Sequence, residues 1–447
     1  MANIRSKKAV LPLAALSVLA LTLSACGGSE GDGGGEEPAA NCSAYEEYGT
    51  FEGEEVSVYS TITDSEQDLL ENSWADFEEC TGIEVAYEGS NEFETQVLVR
   101  AQAGNPPDVA IFPQPGLLAA QAREGYIKPA PPEVEALVDE NWSEDWKSYG
   151  TVDGTFYAAP MLASVKGYVW YSPTTFEENG WEVPATWDEM MELSQTIADS
   201  GIKPWCAGFE SGEATGWPGT DWIEDVVLRQ AGPEVYDQWV AHEIPFNDPQ
   251  ITEAWNTVGD ILKNEEFVNG GFGDVRSIIS TNVDVAGDPV VEGECAMYHQ
   301  ATFQAANWPE GTDISENGDI WAFITPGEEA GSSAITGGGE FVAAYNEGEP
   351  ITAFLSYMAS AEFANNRVEQ GGAISANQGL DASLASSDLD RQSIELLQSE
   401  ETVFRFDASD LMPGAVGANS FWSGIVEWIN GTPTEEVVDT IESSWPE

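Results

Sequence analysis

Between Val56 and Phe112 the chain alternates short apolar runs with helical stretches at a spacing that few folds accept. Val56-Ser57-Val58-Tyr59 reads as a strand, and Ser65 to Cys80 as a helix with Leu70, Trp74 and Phe77 on its apolar stripe. Ile83 to Tyr87 and Asp108-Val109-Ala110-Ile111-Phe112 read as two further strands, enclosing a helical stretch that contains Val97. Strand–helix–strand–helix order at this spacing calls for mainly parallel pairing, because a parallel partner needs a crossover of helix length. The expected class is therefore α/β. Further on, Lys166 to Ser172 reads as a strand, and Thr186-Trp187-Asp188-Glu189 is a capping box ahead of Met190, Leu193 and Ile197. Asp248-Pro249 opens a helix with Ile251, Trp255, Val258 and Leu262 on one face. Thr432-Pro433-Thr434-Glu435 is expected to cap the last helix, which carries Val437, Val438 and Ile441.

The beginning of the chain reads as an export signal. Arg5, Lys7 and Lys8 precede an apolar run from Ala9 to Leu23 that is too short for a permanent span. Leu23-Ser24-Ala25-Cys26 then places small residues before a cysteine, the pattern of a lipoprotein signal, so residues 1–25 are expected to be removed and Cys26 lipidated. Acyl chains contribute about 0.8 kcal/mol per buried CH₂, enough when several act together to hold a domain at the outer face of a membrane. Residues 26–41, rich in Gly and acid, read as a tether. The remaining Cys42, Cys80, Cys206 and Cys295 suit an oxidising compartment. They allow three pairings, of which we expect Cys42–Cys80 and Cys206–Cys295; no C-x-x-C spacing speaks for zinc or redox chemistry.

With 79 Asp and Glu against 15 Lys and Arg, the surface repels nucleic acid and favours a neutral ligand over an anion. A body of this length with 42% hydrophobic residues is expected to form two lobes. Catalysis has little support. His242 and His299 stand alone, outside any metal-ligand spacing, and the G-x-S-x-G match at Gly27 to Gly31 lies in the tether without a strand-to-helix elbow. Acidic residues are so frequent that carboxylate pairs carry no information. The 16 tryptophans say more, because several fall outside apolar stripes. Glu213, Trp217, Asp221 and Trp222, read as a Gly-rich loop, join rings for the apolar face of a sugar with acceptors for its hydroxyl rim. Phe421-Trp422 precedes another helix.

The lipoprotein signal, Pro106-Pro107-Asp108-Val109, Gly293-Glu294-Cys295-Ala296-Met297 and Pro184-Ala185-Thr186-Trp187-Asp188 together resemble the extracellular solute-binding proteins (family 1) of carbohydrate ABC transporters. Met412-Pro413 and Ser420-Phe421-Trp422 add to the match. Gly216 to Trp222 and Phe112 to Gly116 are most similar to the α-glucoside-binding branch. The resemblance implies a two-lobed, periplasmic-binding-protein-like α/β fold with a ligand cleft between lobes of 42–163 with 327–377 and 164–326 with 378–447. Hinge crossings are implied near Leu162 to Ser164, Gly327 to Ser333 and about Asn377. By position it gives stacking roles to Phe112, Phe303 and Trp422, and rim bonding to Asp64, Asn91, Gln114, Glu213 and Asp221. Gly338, within Gly337 to Gly339, would let backbone approach the ligand beside Glu340. Pro113-Gln114-Pro115 replaces a charged pair of the maltose-binding members. The implied function is capture of an α-glucoside-type sugar (maltose, trehalose or sucrose class) by a monomeric receptor, without cofactor or metal, for delivery to a membrane permease. The rival readings are a surface glycosidase, a receptor for another solute such as a peptide, and an adhesion or signalling lipoprotein.

Overall fold

The computed structural model describes residues 41–446, apart from 272, 332, 333 and 400. The expected leader, the lipidation site Cys26 and the tether up to residue 40 lie outside the described residues.

The alternation at the start of the body builds the first sheet. Glu55–Ser60 pairs in parallel with Glu84–Gly89 on one side and Val109–Phe112 on the other, with helices as the crossovers. The helix expected over Ser65 to Cys80 is two, Asp64–Ser73 and Ala75–Thr81, because the backbone at Trp74 leaves the helical region at φ −115° and ψ 8°. Its apolar stripe survives the break: Leu70, Trp74 and Phe77 are all buried. Ala334–Ala344 then runs antiparallel to both Val109–Phe112 and Ala158–Val165, and parallel to Val403–Phe406. The second sheet has the order Trp321–Ile324, Tyr168–Tyr171, Cys295–His299, Lys203–Cys206, Val268–Asn269. It is parallel across its last three strands and antiparallel at Tyr168–Tyr171. The antiparallel strands in both sheets are the ones that lead from one lobe to the other.

Three crossings follow from this topology. The chain leaves the first sheet after Val165, through Lys166 and Gly167, where a strand was expected to begin. It returns after Ile324 and leaves again after Phe406. The residues near Asn377 do not cross: the Asn377 amide donates to Ala359 O, and Gln378 N donates to Asn141 O. Residues 403–406 thus join the first sheet, although the sequence reading placed them in the second lobe.

Capping follows the sequence with one exception. Thr186 Oγ accepts from Glu189 N at 3.2 Å and Glu189 Oε2 accepts from Ala185 N at 2.8 Å, opening the helix Trp187–Ser200. Replacing Thr186 by alanine is expected to cost about 1 kcal/mol of stability, measured by urea unfolding. Asp248 caps Pro249–Leu262 in the same way, through Gln250 N. The last helix, Thr434–Glu442, has no side-chain cap, because its N-cap position falls on Pro433, one residue after the expected Thr432; Thr434 Oγ accepts the Trp428 indole N–H at 3.1 Å. Cys42 joins Cys80, and Cys206 joins Cys295 across two adjacent strands of the second lobe. No helix among the described residues is long and apolar enough to cross a membrane.

Candidate functional site

The ends of the parallel strands and the helices that follow them bring a set of polar side chains to the boundary between the lobes. From the first lobe come Asp64 and Glu66 on the opening turn of Asp64–Ser73, and Asn91 and Glu94 around the start of Phe93–Gln102. Gln114 precedes Pro115–Arg123, and Gly338 and Glu340 lie on Ala334–Ala344. Asp64 holds a left-handed backbone, φ 55°, which is costly for a residue with a Cβ and recurs at ligand clamps. From the second lobe come Glu213, in the turn Gly212–Ala214, Trp217 at the start of the helix Trp217–Gln230, and Phe303 in the turn Thr302–Ala306. The lobes meet here: a Cβ on Gly212 would lie 3.6 Å from Asn91 O.

The rings of Trp217 and Phe303 stand 6.0 Å apart, and the Lys166 ammonium lies 5.5 Å over the Trp217 ring. Gly216 is required before Trp217. Its φ is 114°, and a Cβ there would come within 2.3 Å of Trp422 O. That contact seats Trp422, which is buried with its indole N–H unpartnered. Gln114 donates to Glu94 Oε1 at 3.1 Å, while its own Oε1, equally buried, has no partner.

Burial dominates the electrostatics. It raises Glu66 and Glu94, with Asp284 adding to the first and Glu213, across the cleft, to the second. Burial and then Glu66 push Glu340 up to about 7, against the pull of Arg367. Arg367 is itself fully buried; Nη1 donates to Gly371 O at 2.8 Å, and Nε and Nη2 have no partner.

Beneath Trp217 lies a second group. Lys166 donates to Asp221 Oδ1 at 2.9 Å and to Asp407 Oδ2. Burial alone would lower the Lys166 ammonium, but Asp221 and Asp407 outweigh it and hold it well above its ordinary value. Glu224 accepts from Ala408 N at 3.0 Å and Ser409 N at 3.1 Å. The oxygens of Asp221, Glu224 and Asp407 lie within 4.8 Å of one another, a spacing that suits a cation. Lys166 and the backbone already engage all three carboxylates.

The structure thus brings Asp64, Asn91, Gln114, Glu213, Trp217, Phe303, Gly338, Glu340 and Trp422 to or beside the interlobe boundary. Asp221 faces Lys166 at the base of the cleft. Phe112 and Trp222 sit elsewhere. Phe112 is in the first lobe's core, edge-on to Phe93 at 5.5 Å. Trp222 lies in the second lobe's core, stacked on His299 at 4.1 Å and edge-on to Trp205 at 5.1 Å. The expected loop around Trp217 is the start of a helix, so Trp222 follows Trp217 at a helical angle that turns it away from the cleft. Gly216 and Pro218 were the signal for that helix start. Sequence reasoning missed Glu66, Glu94, Lys166 and Arg367, which no local pattern marks. It also missed Gln304, fully buried with both amide atoms unpartnered beside Phe303. Two concavities, of about 550 Å³ beside Trp445 and about 780 Å³ beside Tyr48, share no lining residue with the cleft.

Two α/β lobes joined by three crossings, with aromatic and polar side chains gathered at the boundary between them, define a two-lobed solute receptor. Residues 60–365 match the family model of bacterial extracellular solute-binding proteins, and the chain belongs to that family. It is 41% identical over 405 residues to the osmoprotective compounds-binding protein GgtB of Synechocystis sp., covering 88% of this chain and 92% of that protein. It is 34% identical over 426 residues to the alpha-glucosides-binding periplasmic protein AglE of Rhizobium meliloti, covering 92% of each. The solved structure of a chitin oligosaccharide binding protein shares the fold, with a TM-score of 0.74 and 17% identity over 87% of this chain and 97% of that one.

Proposed function

We propose that the protein captures an α-glucoside-type sugar at the outer face of the membrane, anchored through Cys26, and delivers it as a monomer to an ABC permease. One observation carries the sugar reading. The boundary between the lobes holds a buried acceptor, Gln114 Oε1, and a buried donor, the Trp422 indole N–H, neither with a partner in the protein. Unpaired buried groups each cost about 1–3 kcal/mol, so a ligand that supplies both a donor and an acceptor is favoured. A hydroxyl does both. The paired rings of Trp217 and Phe303 add apolar faces for the C–H side of a pyranose. The α-glucoside class is supported by the relative named for alpha-glucosides. The relatives are named as binding proteins, which supports binding over turnover.

Calorimetric titration of the body from Asn41 onward against maltose, trehalose, sucrose and cellobiose tests this. Micromolar or tighter binding of an α-glucoside with cellobiose silent is the expected result; silence from folded, ligand-stripped protein would refute the sugar class. Trp217→Ala is expected to weaken binding of that sugar by about 2 kcal/mol, roughly thirtyfold.

A further inference from the structure

The helix Trp217–Gln230 carries Asp221, Glu224, Asp225 and Arg229, all buried and all on one face. At 100° per residue these positions fall within about 140° of arc, and Trp217 falls inside the same arc. Each charged residue goes to a crossing between the lobes. Asp221 accepts from Lys166 on the first crossing. Asp225 lies against the same crossing at Gly167, where a Cβ would meet its carboxylate at 2.6 Å. Asp225 also accepts from Thr336 Oγ at 3.0 Å, and Arg229 Nη1 donates to Ala334 O at 2.6 Å, both at the end of the second crossing. Glu224 accepts from Ala408 N and Ser409 N on the third, where Thr220 and Ser409 hydroxyls also meet at 3.3 Å. Asp407, on that third crossing, closes the set by sharing Lys166 with Asp221.

Such a network is a poor source of stability. Burying ion pairs usually costs as much as their attraction returns, and apolar residues of similar volume do as well or better. Breaking any one of these contacts leaves a further buried polar group without a partner, so together they hold the segments in one arrangement. Here that arrangement specifies how three interlobe segments sit on one helix whose first residue is the ring platform of the cleft.

We propose that the helix Trp217–Gln230 is the bearing on which the lobes turn, and that Asp221, Glu224, Asp225 and Arg229 are positioning residues that set the lobe angle and couple it to contact at Trp217. The coupling to ligand rests on the receptor reading; the setting of the angle does not. Loosening the bearing lowers the population of the closed, binding-competent form, and apparent affinity falls by the same factor.

The test compares wild type with Glu224→Gln and with the milder Thr336→Val, which removes only the hydroxyl on Asp225. Thr186→Ala serves as a control that lowers stability in the second lobe without removing any partner of Asp221, Glu224, Asp225 or Arg229. Ligand-free small-angle scattering is expected to shift toward a more open form in Thr336→Val and Glu224→Gln but not in Thr186→Ala. Affinity for the sugar that wild type binds best should fall about tenfold in the first two and hold in the third. Variant scattering curves that superimpose on wild type would overturn the bearing, and the scattering arm needs no ligand. Wild type silent to every sugar would overturn the sugar reading alone. Should Glu224→Gln not fold, Thr336→Val decides both arms; equal shifts in the Thr186→Ala control would reduce the network to ordinary stability and overturn the inference.

Discussion

Lys166→Met lowers the free energy of unfolding by about 3–5 kcal/mol at neutral pH, and the deficit shrinks as the solution is acidified. The Lys166 side chain is 10% exposed, and its two direct partners, Asp221 and Asp407, are 4% and 1% exposed. Taking away one partner of a buried pair leaves the other charge without water or counter-ion, which costs far more than the pair contributed. The pH dependence follows from Asp407. Burial alone would raise it, but Lys166 outweighs burial, with the hydrogen bonds from Glu224 and Asp221 adding to the effect, and its carboxyl is held below the ordinary range. In wild type Asp407 therefore contributes stability that is present above the unfolded carboxyl value, about 3.9, and is lost as pH falls through its lower folded value. Without Lys166 the counter-charge is gone; hydrogen bonds from Ser409 N and Oγ remain, but burial then raises the folded carboxyl above its unfolded value. At Asp407 the variant then gains stability as pH falls toward about 4, whereas wild type gains none from this group. Urea unfolding at pH 5 and pH 8 reads the difference. A deficit equal at the two pH values would mean that the carboxylates do not depend on this lysine.

The same cluster shows what the sequence could and could not disclose. Val56–Tyr59, Ile83–Tyr87 and Asp108–Phe112 announce a parallel α/β lobe because each strand and each crossover is a local pattern. The capping box at Thr186 is local too: Thr186 Oγ accepts from Glu189 N, and the Glu189 carboxylate reaches back to Ala185 N, one residue before the cap. Lys166 has no such pattern. Its meaning comes from partners 55 and 241 residues away. Trp217 and Trp222 differ for a related reason: once Gly216 and Pro218 start a helix, five residues of rotation send one ring to the cleft and the other into the core against His299. The box Thr432 to Glu435 was read as a cap from local pattern alone, but the helix starts one residue later, with Pro433 at the cap position and the Thr434 hydroxyl taking the Trp428 indole N–H. The third crossing, which the family resemblance implied at about Asn377, comes later, because the strand Val403–Phe406 is pinned only by its long-range pairing with Ala334–Gly337.

Glu340→Gln is expected to stabilise the protein by about 2–3 kcal/mol at pH 8 and to change it little at pH 4.5. Glu340 lies partly buried on the cleft side of the strand Ala334–Ala344. Burial raises its carboxyl first, the like charge of Glu66 next, and Arg367 opposes them without cancelling them, so that it stands at about 7. The folded state then holds this proton more tightly than the unfolded chain, whose glutamates titrate near 4.3. Between these values the native protein binds more protons, and stability falls as pH rises. The loss is complete only above about pH 7, once the buried carboxyl has ionised beside Glu66. Glutamine keeps the shape and never ionises, so it removes that loss and nothing else on the acid side. A carboxyl that costs stability near neutral pH and persists in a cleft is a familiar form of trade between stability and function. The same variant is therefore expected to bind the sugar more weakly, since a carboxylate accepts hydroxyl protons at both oxygens and an amide at one. Unfolding curves at the two pH values and one titration of the bound sugar read both halves. A gain in stability that did not depend on pH would show that Glu340 carries no raised proton affinity, and unchanged binding would remove its side chain from the site.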